Sequence, residues 1–245
     1  MPADSALTVV LVYPDLLGTY GDRGNATALV HRATARGLEC HVLETSLHDP
    51  LPRTGDIYLV GGGEDAAMLL AWEHLVDGRP LEGAVEAGAA CFGVCAGFQL
   101  LSHEFAGPDG RRRPGLGLLD ARCGRIVGRR AVGEVLAESE HGFLTGFENH
   151  QGDALLGPAA RPLARLVRGV GNGDGATEGA VQGRVVGSYL HGPALVRNDG
   201  LADHLLQLVT GPLPPYDDEP VRRLRLERRA AALGGPRPWR HRLPR

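Results

Sequence analysis

The stretch Ala89-Ala90-Cys91-Phe92-Gly93-Val94-Cys95-Ala96-Gly97-Phe98-Gln99-Leu100-Leu101 decides how this chain is read. Residues 89–94 are apolar, few, and preceded by Gly88, which suits a strand covered on both faces of a parallel sheet. From Ala96 the apolar residues Phe98, Leu101 and Phe105 recur at helical spacing. Cys95 stands between the two elements, with Gly93 and Gly97 two residues away on either side. Glycines at those places permit a sharp turn and a close approach of strand to helix. Gly-x-Cys-x-Gly is the thiol form of a nucleophile elbow, which lifts a side chain out of the carboxyl end of a sheet. At a helix N-terminus, free N–H groups and the helix dipole are expected to favour its thiolate. Cys40, Cys91 and Cys123 lack this pair of glycines and read as buried structural thiols.

Outward from the elbow, strand and helix patterns alternate. Residues 7–13 are β-branched and read as the first strand. Asn25 is placed to cap a helix that ends at Gly37. Strands are expected at 38–43 and 56–60, the latter running into Gly61-Gly62-Gly63, with helices over 64–76 and 81–87. That alternation predicts an α/β domain with a mostly parallel sheet. Further on, 115–120, 130–137 and 144–147 have strand character, and 169–178 is a glycine-dense loop. A strand at 185–190 ends at His191, and 199–209 forms an amphipathic helix. Residues 1–211 are expected to form the catalytic domain. Residues 212–245 read as a linker, a short helix and an Arg-rich tail.

Composition narrows the class. With 245 residues, 43% hydrophobic and 22% charged, the chain has the makings of a sizeable core. A net charge of −3 gives no global reason to expect nucleic acid. The charge is uneven: residues 221–245 carry nine Arg and one Glu, which leaves 17 basic and 28 acidic residues in the body. No charged N-terminal leader and no membrane-length apolar run is present, so a cytoplasmic protein is expected. The four cysteines show neither a disulfide framework nor Cys-x-x-Cys zinc spacing, and no metal site is expected.

An elbow cysteine needs a base. Of ten histidines, His191 is best placed, at the end of a strand and before Gly192-Pro193. His150, in Glu148-Asn149-His150-Gln151, is second. The Gly61–Gly63 turn carries no Gly-Lys-Ser/Thr sequence and so is a poor phosphate loop. Backbone N–H groups of this triplet together with that of Ala96 suit an oxyanion hole.

Gly93-Val94-Cys95-Ala96-Gly97-Phe98-Gln99, Gly61-Gly62-Gly63-Glu64-Asp65 and Tyr189-Leu190-His191-Gly192-Pro193 together resemble the class I glutamine amidotransferases, in the cobyric-acid-synthase-like branch. Tyr20-Gly21-Asp22-Arg23-Gly24-Asn25, residues 115–120, Gly146-Phe147-Glu148-Asn149-His150 and Gly171-Asn172-Gly173 narrow the likeness to stand-alone glutaminase subunits acting in lipid II amidation. The resemblance implies a three-layer, flavodoxin-like fold around a mostly parallel sheet. It implies that Cys95 attacks the side-chain amide of L-glutamine, with His191 moving the proton and Gly62 and Ala96 holding the oxyanion. It also implies that Arg130, next to Arg129, captures the substrate α-carboxylate. The wider class carries a Glu two residues after the histidine to orient the ring. Here that place is Pro193, so the carboxylate is expected from a partner, with Glu148 as the competing candidate. The expected partner is a MurT-like Mur-ligase subunit in a heterodimer. ATP and Mg are expected on that subunit, no cofactor on this one, and lipid II is reached through the partner at the inner face of the membrane. Three alternatives use the same residues: the glutaminase of a cobyrinate-type amidotransferase, a stand-alone cysteine hydrolase, and a non-catalytic binding subunit.

Overall fold

A computed structural model describes residues 6–19 and 21–234. In chain order the first half contains β1 (Leu7–Val12), α1 (Arg23–Thr34), β2 (Cys40–Thr45), β3 (Ile57–Val60), α2 (Asp65–Val76), α3 (Pro80–Glu86), β4 (Ala90–Val94) and α4 (Ala96–Leu101). Then come β5 (Ser102–Ala106), β6 (Arg112–Pro114), β7 (Leu119–Arg125), β8 (Ala131–Ser139), β9 (Gly142–His150), β10 (Gly152–Leu156), β11 (Ala164–Arg168) and β12 (Thr177–Glu178). The chain closes with β13 (Ala180–Gln182), β14 (Val185–Ser188), α5 (Ala194–Arg197), α6 (Asp199–Thr210) and α7 (Glu219–Ala232).

The central sheet has the order β2-β1-β3-β4-β14-β13. Every pairing in it is parallel except β13 with β14. Without β13 this is the doubly wound 2-1-3-4-5 order of flavodoxin-like folds. Its strands are buried on both sides, and their alternation sorts the core into two halves. Val9, Leu11, Ile57, Leu59 and Phe92 face α1, α5 and α6. Val10, Val12, Tyr58, Val60 and Cys91 face α2, α3 and α4. Two four-stranded sheets, β10-β7-β5-β6 and β12-β11-β8-β9, extend the domain.

Two expectations about helices are corrected. α4 stops at Leu101, and Phe105 lies on β5. Ser102 turns extended, and its hydroxyl donates to the Gln99 carbonyl at 2.7 Å, closing the helix. Phe105 enters the same core as Phe98 and Leu101, so its helical spacing reflected a shared destination rather than a shared helix. Asn25 is not a cap. α1 already begins at Arg23, and Asn25 is 1% exposed inside it. Of the expected 115–120 strand only Leu119 and Asp120 are extended, at the start of β7.

The segment 212–234 is packed down rather than loose. Arg36 donates to the Pro214 carbonyl at 2.8 Å, and His31 pairs with Asp218 at 2.8 Å. Arg225 reaches Asp199 at 2.5 Å, and the Arg229 guanidinium lies 3.8 Å from the Phe143 ring centre. The arginine-rich tail at 235–245 lies outside the described residues.

Candidate active site

The elbow forms where β4 meets α4. Cys95 has φ +54° and ψ −104°, a backbone state that L-residues rarely adopt. Three hydrogen bonds hold it there. Cys95 N–H donates to the Ser188 carbonyl at 2.8 Å, Gln99 N–H to the Cys95 carbonyl at 3.0 Å, and Gly97 N–H to the Gly61 carbonyl at 3.1 Å. A Cβ on Gly97 would lie 2.0 Å from the Val60 carbonyl oxygen, so only glycine lets α4 seat against β3.

Cys95 and Ala96 line a cleft with Gly63, Asp65, Gln99, Arg130, Asn149 and His150. Burial pushes the Cys95 thiol up to about 12. The Ala96 N–H at its sulfur and the Arg130 charge pull down; Asp22 and Asp65 push up. The expected thiolate is therefore corrected. α4 is six residues long, and desolvation outweighs its N-terminus. In the unliganded protein Cys95 is a neutral thiol, as are the more deeply buried Cys91 and Cys123, whose thiols burial also raises.

His191 reaches the same end of the sheet because β14 lies beside β4, with Ser188 opposite Val94. It is 2% exposed and does not line the open cleft. Its backbone pairs with Phe147, His191 N–H to the Phe147 carbonyl at 2.8 Å and Phe147 N–H to the His191 carbonyl at 3.0 Å. Burial, then the fields of His150 and Arg130, lower its imidazole to about 4. A neutral imidazole at neutral pH is the form that accepts a proton.

His150, the second candidate base, is 2% exposed and its ring stacks on Tyr189 at 4.0 Å. Its Nδ1 lies 2.8 Å from the Gly152 carbonyl, which places the proton on that nitrogen. Glu148 is committed elsewhere than expected. Its carboxylate accepts from Val170 N–H at 2.9 Å and Gly171 N–H at 3.1 Å, and stands 3.8 Å from His150 Nε2. Burial works to raise its pKa, but His150 and those two N–H groups outweigh it and hold the carboxyl below its usual value.

Arg130, beside β8, lines the cleft, whereas Arg129 does not. Its Nε donates to Asn149 Oδ1 at 2.6 Å and its Nη2 to the Asn149 carbonyl at 2.9 Å, which fixes the direction of the guanidinium. The expectation for Gly62 is corrected. Its N–H donates to Asp22 Oδ2 at 2.9 Å, and Gly63 rather than Gly62 borders the cleft. Sequence reasoning gave no role to Asp22 or Gln99, although both stand in the motifs that carry the resemblance. Gln99 had a usable signal, one helical turn after Cys95 on the same face. The partner of Asp22 was not visible in the sequence, because it is 40 residues away.

Comparison with known proteins agrees with this geometry. The CobB/CobQ-like glutamine amidotransferase domain family matches residues 8–199. Subunit GatD of the glutamine-hydrolysing lipid II isoglutaminyl synthase of Streptococcus pneumoniae is 32% identical over 224 residues, covering 86% of each chain. The subunit of that name from Staphylococcus aureus is 34% identical over 205 residues, covering 82% of this chain and 83% of its own. A solved glutamine amidotransferase superposes with a TM-score of 0.57 at 25% identity, covering 83% of this chain and 99% of its own. The elbow, the strand order and these matches together place the chain in the family of CobB/CobQ-like glutamine amidotransferases.

Proposed function

We propose that this protein is the glutaminase subunit of a two-subunit enzyme that amidates lipid II in peptidoglycan synthesis. The observation that carries the chemistry is Cys95, held at positive φ on the floor of a cleft that Arg130 also lines. Arg130 receives the α-carboxylate of L-glutamine, for which a planar guanidinium is suited. Cys95 Sγ attacks the side-chain amide carbon while its proton passes to His191. The tetrahedral oxyanion forms next to the Ala96 N–H. His191 returns the proton to the amide nitrogen, the carbon–nitrogen bond breaks, and ammonia leaves a thioester. Water, deprotonated by His191, adds to the thioester. Glutamate departs and the thiol is restored.

The acceptor half rests on the names of the relatives, which match over more than four fifths of both chains. Ammonia would pass to a MurT-like Mur-ligase subunit, which would bind ATP and Mg and amidate the D-glutamate of the lipid II stem. The heterodimer would work in the cytoplasm, at the inner membrane face where its lipid-linked substrate lies. Among the described residues no helix is long and apolar enough to cross a membrane. The test is ammonia release from glutamine by the purified chain, alone and with the ligase-like subunit. Cys95→Ala is expected to abolish release with folding intact, and Cys91→Ala to retain it. Substantial hydrolysis by Cys95→Ala overturns the assignment.

A further inference from the structure

The segment Gly21-Asp22-Arg23-Gly24-Asn25 supplies no group to the steps above, yet it touches the loop whose Gly61 carbonyl holds the elbow and the stretch that follows His191. Asp22 is 3% exposed and Asn25 1%. Asp22 Oδ2 accepts the Gly62 N–H at 2.9 Å, in the loop that follows β3. Asn25 Nδ2 donates to Asp22 Oδ1 at 3.3 Å, and Asn25 Oδ1 accepts the Leu195 N–H at 2.9 Å, four residues past His191. Between them, a Cβ on Gly24 would lie 2.3 Å from Pro193 Cγ, so the missing side chain lets the His191 loop press on the start of α1.

Two features separate this arrangement from ordinary capping. An aspartate at a helix N-cap normally accepts from its own helix, which stabilises the first turn. Asp22 holds the N-cap place and makes no such bond. Its charge also works against the chemistry, since it raises the Cys95 thiol and opposes a thiolate there. A residue that forgoes its local bond and places an adverse charge near the nucleophile breaks two local rules, the kind of inconsistency expected at functional sites.

We propose that Asp22 and Asn25 are positioning residues that fasten the loop of Gly61–Gly63 to the start of α5, directly after the His191 loop. The loop that holds the elbow through the Gly61 carbonyl and the chain that leaves His191 are then kept in one register by a single side-chain bridge. Neither residue touches the reacting atoms. The inference rests on the glutaminase reading above, and its test has one arm that does not.

Four variants of the full chain are compared: Asp22→Ala, Asp22→Asn, Asn25→Ala and, as control, Arg23→Ala. Arg23 lies in the same segment but turns outward to Glu44. For glutamine hydrolysis, assayed with the ligase-like subunit present, Asp22→Ala and Asn25→Ala are expected to lower kcat by about tenfold or more with KM within about threefold. Asp22→Asn keeps an acceptor for the Gly62 N–H and is expected to recover most of that kcat. Arg23→Ala is expected to match wild type. Hydrogen–deuterium exchange on the chain alone provides the independent arm. Asp22→Ala should speed exchange at 61–63, Asn25→Ala at 192–196, and each should also loosen the other loop. Unchanged exchange in both loops overturns the bridge whatever the activity. Unchanged kcat in Asp22→Ala, with wild type active and Cys95→Ala dead, overturns its positioning role and leaves the glutaminase reading standing. If Asp22→Ala does not fold, Asn25→Ala and Asp22→Asn decide by the same readings. Loss of activity in Asp22→Asn equal to that of any unfolded variant, with Asn25→Ala unaffected, counts against the proposal.

Discussion

Cys95 combines a strained backbone with a neutral thiol, and the two observations bear differently on its role. The φ of +54° is forced by the elbow and was legible in the flanking glycines. The thiol raised to about 12 was not legible, because it depends on how completely β3, β14 and the cleft wall exclude water. Sequence showed where the sulfur would stand, while its protonation is a property of the packed molecule. Arg130 and Arg129 mark the same boundary. Adjacent arginines are equivalent on paper, and only the folded path of the bend before β8 brings Arg130 rather than Arg129 to the cleft. Asn149 then orients it through two hydrogen bonds. A charge-assisted bond to a carboxylate is worth about 1.5–3 kcal/mol. Arg130→Ala is therefore expected to raise the KM for glutamine about ten- to a hundredfold while leaving kcat within a few fold. Arg129→Ala should leave KM within about twofold. Equal, small effects of the two substitutions in steady-state assays would return Arg130 to the surface.

At the scale of elements, the reading held where a strand was a continuous buried apolar run and failed where an apolar residue beyond an element shared its core. β1, β3 and β4 fall within a residue or two of their expected bounds. Each is a continuous apolar run with a glycine close by or a polar boundary. The helix after the elbow was read too long because Phe105 shares a core with Phe98 and Leu101. The junction of β14 with the His191 loop shows what periodicity does not reveal. Ser188 serves both sides of the site: its carbonyl accepts the Cys95 N–H at 2.8 Å, and its hydroxyl accepts the Leu190 N–H at 3.0 Å. That hydroxyl in turn donates to Glu178 Oε1 at 2.6 Å, which also accepts the Tyr189 N–H at 3.0 Å. Glu178 is fully buried, and burial raises its carboxyl against the pull of these donors. Ser188→Ala leaves the Leu190 N–H and the Glu178 carboxyl each short of one buried partner, a loss of about 1–3 kcal/mol per group. The expected outcome is a lower midpoint in urea, together with a fall in kcat larger than any rise in KM, because the bonds removed carry the chain into His191. Ser188→Thr, which keeps the hydroxyl, should restore kcat if the pocket admits its methyl group. A stability loss with kcat intact would reduce Ser188 to a structural role.

For the whole molecule, the parallel sheet brings Cys95 and His191 to one edge from positions 96 residues apart in sequence, and the protonation of each is set by what covers that edge. In this chain the thiol is raised to about 12 and the imidazole lowered to about 4. Both shifts favour the neutral pair over the thiolate–imidazolium pair that attack requires. Pro193 stands where the resemblance implies a carboxylate, and Glu148 accepts two N–H groups of the loop at 170–171 and lies 3.8 Å from His150 Nε2. A carboxylate brought against His191 by a docking subunit would raise the imidazole and favour transfer of the Cys95 proton. The sign of the pH dependence follows. His191 acts as a base only when neutral, so activity falls as pH drops through its pKa. For the lone chain that acid limb belongs near pH 4, well below the ordinary histidine value. With the partner bound, the limb should move up toward or beyond about pH 6.5, the unperturbed value, while the plateau kcat rises by about tenfold or more. The measurement is the pH profile of kcat and of kcat/KM for glutamine hydrolysis from about pH 3 to pH 9, with and without the ligase-like subunit. A partner that raises neither the limb nor the plateau would mean that the chain completes its own dyad and that docking serves only to deliver ammonia.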